Sequence, residues 1–156
     1  VSTFMFGIGI GGAIGGWLAD RWANKRLVAY AIAEFTLALF GFLSPWIFSW
    51  IQSASTSGWS YWSVSVVSVV IIAIPTIVMG ITLPLLTMYF DETLNNVGVS
   101  VGKLYFFNTL GAAFGAWLTA WVLFMKLGLN ESAWTAASIN IFCFFCIVFA
   151  YFISKK

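Results

Sequence analysis

A chain of 156 residues with 62% hydrophobic residues, 8% charged residues and no histidine falls far short of the ~25% charged residues usual in a soluble domain. That excludes an ordinary soluble globular fold, and a net charge of +2 gives no footing for nucleic-acid binding. The composition is that of an all-α, multi-pass integral membrane protein whose principal partner is the lipid bilayer.

Apolar runs of about 20 residues suffice to span a bilayer, and five occur, over residues 2–19, 27–51, 64–90, 101–125 and 133–153. They predict one transmembrane domain, 1–156, built as a five-helix bundle. The first span holds Gly7, Gly9, Gly11, Gly12, Gly15 and Gly16. Each would cost about 1 kcal/mol against alanine in a soluble helix. In a bilayer the backbone must pair within its own segment, so glycine becomes a packing device. Gly7, Gly11 and Gly15 form one row, Gly12 and Gly16 the next, and a second helix can approach this nearly bare face. The span stops at Asp20, Arg21, Trp22, Ala23, Asn24, Lys25 and Arg26. This basic end stands where a small-residue cleavage site would be needed, so no cleavable signal sequence is visible. The chain begins with Val1 rather than Met, already inside an apolar segment, so we expect residues upstream of it.

The second span carries Glu34 on a small or polar stripe with Tyr30, Ala31, Ala38 and Gly41. The third is long for one crossing, and Pro75 and Pro84 each remove a backbone donor within it, marking expected kinks. The fourth repeats the glycine theme with Gly111 and Gly115, and places Asn108 and Thr119 on the same face. We expect the glycine faces of the first and fourth helices to make close contacts, with one another or with a further helix. Spaced three helices apart, the two echo the three-helix repeats of transporter folds. The fifth span contains Cys143 and Cys146, but no histidine or further cysteine exists to complete a metal site. We read the pair as buried or lipid-facing small residues and expect neither metal nor cofactor.

Glu34 lies eight residues after Arg26, Thr82 nine before Asp91, and Asn108 five after Lys103. These spacings place the three at similar depth near one end of the bundle. An ionisable residue in a span is a site hypothesis by default. Glu34, Thr82 and Asn108 therefore form a candidate polar intramembrane site for a cation, a proton or an amine. The plainer alternative is a protonated Glu34 hydrogen-bonded to Asn108 as interhelical glue.

With alternating spans, Arg21, Lys25, Arg26, Lys103, Lys155 and Lys156 share one side, and Lys126 lies opposite. The positive-inside rule orients the six toward the cytoplasm, with the C-terminus inside, in the cytoplasmic (inner) membrane of a bacterium or archaeon. The uncharged loop of residues 52–58, flanked by Trp46, Trp50, Trp59, Tyr61 and Trp62, then forms an outer aromatic belt. Asn130, Glu131 and Ser132 fit a glycosylation sequon and also a helix N-terminus.

The first loop, Gly16-x-Leu18-Ala19-Asp20-Arg21-x-x-x-Lys25-Arg26, resembles the signature loop of major facilitator transporters. It departs at Trp17 and at Ala23, where a glycine is usual. More narrowly, Glu34-Phe35-Thr36-Leu37 through Gly41-Phe42-Leu43-Ser44-Pro45, Pro75-Thr76-Ile77-Val78-Met79-Gly80-Ile81-Thr82-Leu83-Pro84, and Val101-Gly102-Lys103-Leu104-Tyr105-x-x-Asn108-Thr109-x-Gly111-Ala112 are similar to the membrane domain of the membrane-bound spermidine synthase-like (polyamine aminopropyltransferase) family. The resemblance implies a bundle like half of a major facilitator protein, here its helices two to six, lacking the first helix. In that family the bundle precedes a cytoplasmic aminopropyltransferase domain. No catalytic residues of that domain occur in this chain, so the expected role is anchor or accessory to such an enzyme. In transporters with this loop, the acid equivalent to Asp20 anchors a neighbouring helix end, which a half bundle would have to recruit from another chain. Asp20 and Arg21 otherwise serve as a helix stop in a basic loop. Two alternatives stand beside the anchor. One is a transporter-like half bundle for amines or another small solute, pairing as a homodimer. The other is a structural subunit lodged against a larger membrane complex.

Overall fold

A computed structural model describes residues 1–94 and 96–154, excluding the side chains of Thr93 and Ser154. It contains five helices long and apolar enough to cross a membrane. We label them α1 (Ser2–Arg21), α2 (Arg26–Thr56), α3 (Tyr61–Leu94), α4 (Val97–Leu118) and α5 (Gly128–Ser154). A 3-10 turn, Ala23–Lys25, joins α1 to α2. The fourth span continues beyond α4 through a π turn, Thr119–Leu123, and a last helical turn, Phe124–Lys126.

Local chemistry accounts for the breaks. Gly58 takes φ +93° after α2 and Gly128 φ +80° before α5, a region that glycine enters without steric cost. The Asn96 side chain caps α4 by accepting the Val99 amide at 3.1 Å, satisfying one of the orphan donors of a helix start. Helices α2 and α3 outrun their apolar segments. At ~1.5 Å per residue the 34 residues of α3 extend about 51 Å, well past a ~30 Å hydrocarbon core. Pro75 and Pro84 lie inside α3, which stays continuous through both, and Pro45 lies inside α2. Pro45 cannot donate to the Gly41 carbonyl, its ordinary helical partner. The Ser44 hydroxyl donates to that carbonyl at 2.8 Å instead.

Helix α3 is central, packed against α1, α2 and α4, while α5 packs on the far side of α2. The paired residues give the directions. Gly7 meets Thr76, Gly11 meets Ile77 and Gly80, and Gly15 meets Ile81, so α1 and α3 run parallel. Phe35 faces Phe144 at 5.5 Å, Gly41 faces Ala137, and Trp46 faces Trp134 at 6.0 Å, so α2 and α5 run antiparallel.

The buried apolar residues are mostly small: Ala19, Ala31, Ala33, Ala38, Ala54 and Ala137, with Leu37 and Leu85. The large apolar side chains, including Phe4, Trp17, Trp46, Phe106, Trp121 and Phe149, point outward. A water-soluble monomer rarely exposes contiguous apolar surface beyond a few hundred Å². This surface suits apolar surroundings.

The glycine rows divide. Gly7, Gly11 and Gly15 are buried against α3, where a Cβ on Gly15 would lie 2.7 Å from the Ile81 carbonyl oxygen. Gly9, Gly12 and Gly16 would meet nothing within 4 Å, so the second row is not a side-chain contact face. Gly111 and Gly115 likewise have nothing within 4 Å. The close contact expected of the fourth helix is therefore not made within this chain. From residue 101 to residue 131 no residue is buried.

Candidate functional site

At one end of the bundle the basic loop folds inward through a single residue. Arg26 opens α2 with only 7% of its side chain exposed. Its Nε donates to the Ala19 carbonyl at 2.7 Å, and its Nη1 donates to the Met88 carbonyl at 3.1 Å and pairs with Glu92 Oε1 at 2.5 Å. One guanidinium thus ties the end of α1, the start of α2 and the end of α3. The α1 and α3 carbonyls belong to helix C-terminal regions, where a cation is favoured. The neighbours behave differently. Arg21 lies over the Trp17 ring at 5.5 Å, and Asp20 and Lys25 are exposed. Within this chain the helix-end tie is made by Arg26 with Glu92, not by Asp20.

Glu34 is buried at 8% exposure on the α2 face that meets α5, together with Ala31 and Ala38 of the same stripe. Tyr30, one turn back on the same helix, and Cys143 of α5 lie within electrostatic reach of its carboxyl. The hydrogen bonds expected from Glu34 to Thr82 or Asn108 are not formed among the described residues. Thr82 donates to the Met79 carbonyl of its own helix at 2.7 Å, and Asn108 is exposed on α4. The three residues do not form one hydrogen-bonded site among the described residues. Cys143 and Cys146 are free thiols, half-buried and exposed respectively, and no three His, Cys, Asp or Glu groups among the described residues are arranged to hold a metal.

The opposite end holds a feature that the linear sequence does not announce. A cavity of about 590 Å³ opens between α2, the π turn and α5. Its polar lining is Ser44, Ser49, Gln52, Thr119, Asn130 and Ser132, and its apolar lining includes Pro45, Phe48, Leu123 and Phe124. A π turn inserted in an α-helix frequently marks a functional position, and Thr119–Leu123 carries it here, with the Phe124 amide donating back to the Thr119 carbonyl.

No family model, curated protein or solved structure matches this chain. Any functional reading therefore rests on the residues and their placement. Three features bear on it: the Arg26 tie, the sealed Glu34, and a fourth span that leaves Gly111, Gly115 and one wall of a cavity uncovered. Sequence reasoning missed Glu92 as the partner of Arg26 and Tyr30 as a neighbour of the Glu34 carboxyl. The adjacent acids Asp91 and Glu92, ending the third span beside the basic loop, were the available signal for the first.

Proposed function

We propose that this chain is a membrane-embedded association module, the anchoring part of a spermidine synthase-like protein, which docks its fourth helix against further membrane helices. The observation that carries the reading is the contrast within one bundle. α1 spends Gly7, Gly11 and Gly15 on α3, whereas a Cβ on Gly111 or Gly115 of α4 would meet nothing within 4 Å and Asn108 is exposed. A helix face with small residues at four-residue spacing and no partner opposite its glycines is suited to close packing from outside. The motifs quoted above supply the family, and the distribution of basic residues places the Arg26 end in the cytoplasm. Lys155 and Lys156, part of that charge pattern, lie outside the described residues.

The amine-carrying half bundle is the less favoured reading, because the buried Glu34 is covered by α5 and the open cavity has no acid in its lining. The test is cross-linking in native membranes through Asn108→Cys, in a chain with Cys143→Ser and Cys146→Ser. We expect a defined adduct, to a second copy or to another membrane protein, that Gly111→Leu with Gly115→Leu abolishes. Pull-down of the adduct should bring down aminopropyl transfer to putrescine. A chain that never cross-links ends the docking proposal; an adduct without transferase activity ends the family assignment and leaves a structural subunit.

A further inference from the structure

We infer that the cavity between α2, the π turn and α5 is a binding site for an uncharged, hydroxyl-rich group such as a sugar ring. The volume, about 590 Å³, lies within the ~300–1,000 Å³ typical of small-molecule sites. The chemistry of the walls selects the ligand. No lining residue is charged. A cation or an anion would lose its hydration there with no counter-charge to replace it, so amines and carboxylates are excluded.

The hydrogen-bonding groups are arranged for a ligand that both donates and accepts. The hydroxyl protons of Ser44 and Ser132 are engaged, donating to the Gly41 and Gly128 carbonyls of their own helices. Their remaining lone pairs can only accept from a guest. Ser49, Gln52, Thr119 and Asn130 have no side-chain hydrogen-bond partner among the described residues, and their hydroxyls and amides can do both. Phe48 and Phe124 add aromatic rings against which the C–H face of a sugar can lie. A neutral group that is polar around its rim and apolar on its face matches this lining better than a purely apolar chain, which would leave these polar groups unpaired.

Two sources can present such a group: a free saccharide, or the headgroup of a glycolipid entering sideways beside the fourth span. The experiment separates them. The chain is reconstituted in phosphatidylcholine nanodiscs and titrated with radiolabelled sucrose. In a parallel arm, monoglucosyl diacylglycerol is mixed into the disc and retained lipid is counted by native mass spectrometry. Spermidine and phosphatidylglycerol serve as charged probes. We expect one sugar probe to bind saturably, sucrose assigning a free solute and the glucosyl lipid a lipid headgroup. Gln52→Ala and Asn130→Ala, both at exposed positions that leave the fold intact, should each weaken that binding by roughly three- to tenfold, the effect of about one neutral hydrogen bond. Thr82→Ala, away from the cavity, should not. The inference is overturned if neither sugar probe binds, if sugar binding ignores Gln52 and Asn130, or if spermidine or phosphatidylglycerol binds with the same dependence on those two residues.

Discussion

The first and fourth spans carry the same device and meet opposite fates. Each places glycines four residues apart, Gly7, Gly11 and Gly15 in one and Gly111 and Gly115 in the other. Only the first row is used. Opposite it, α3 presents Thr76, Gly80 and the backbone at Ile77 and Ile81, so two bare strips face one another and the helices close to backbone contact. Opposite α4 the chain supplies no comparable strip. A glycine row makes close approach possible; a complementary row on another helix makes it happen. Small-residue spacing therefore reads as capacity, and its partner has to be found separately.

The contrast is broken most directly by adding bulk. A side chain at Gly11 would strike the Ile77 carbonyl and lie 2.8 Å from Gly80 Cα. Gly11→Leu must push two backbones apart, and we expect a loss of at least about 1–3 kcal/mol, read as a lower thermal midpoint in detergent. Gly111→Leu enters open space and should leave the isolated chain unchanged. Equal destabilisation by both would show that the glycine face of α4 is packed after all. Equal indifference would show that α1 and α3 are not in backbone contact.

The next largest effect is expected at Arg26, which fixes the ends of the packed helices and has no counterpart on α4. Arg26→Ala removes two hydrogen bonds from a charged donor, each worth about 1.5–3 kcal/mol, although water at the bundle end can recover part of them. A net loss of about 2–3 kcal/mol is the expectation. Glu92 is 57% exposed, so Glu92→Gln should cost less than about 1 kcal/mol. The pair of unfolding curves separates the carbonyl contacts from the ion pair. If Glu92→Gln costs as much as Arg26→Ala, the ion pair dominates and the carbonyls matter little.

These placements also show what the linear sequence discloses. The number and order of the spans follow from apolar run length, because each backbone must pair within its own apolar segment. Their ends do not. α2 runs to Thr56 and α5 starts at Gly128, beyond the apolar limits of 51 and 133, since helical hydrogen bonding continues into polar residues until a turn such as Gly58 stops it. The stripe of Ala31, Glu34 and Ala38 identified the inward face of α2, but not which helix would cover it. The spacing of Glu34, Thr82 and Asn108 from the charges at their helix ends was legible; rotation about each helix was not, and that decides which side chains meet. The cavity is walled in part by the π turn, which leaves no pattern in hydropathy.

Pro45 offers a test of intermediate size on the packed side. The Gly41 carbonyl has lost its helical donor to the proline, and the Ser44 hydroxyl stands in for it. Gly41 also packs on Ala137 of α5, where an added Cβ would come within 2.9 Å. Ser44→Ala leaves the carbonyl unpaired inside a helix contact, and we expect about 1 kcal/mol of destabilisation. Ser44→Thr, which retains the hydroxyl, should recover most of it. Loss of stability with both variants would point to crowding at the α2–α5 contact instead.

The smallest effect is expected at Glu34, and it sharpens the comparison between a sealed polar group and an open one. Glu34 is covered by α5 with Tyr30 as its neighbour, whereas Asn108 stands exposed on α4. Glu34→Gln keeps the length of the side chain and an acceptor oxygen for the Tyr30 hydroxyl, and removes only the titration. If Glu34 is interhelical glue, stability should change by less than about 1 kcal/mol, in keeping with the ~0.6 kcal/mol average for polar contacts in membranes. Tyr30→Phe, which removes the hydroxyl itself, should cost a similar amount. Asn108→Leu should leave the isolated chain unaffected while weakening whatever docks on α4. The decisive measurement is the Glu34→Gln midpoint set beside any activity of the assembled protein. Unchanged stability with lost activity would make Glu34 a proton or cation site despite its cover, and a loss of several kcal/mol would mean that the charged carboxylate itself holds α2 and α5 together.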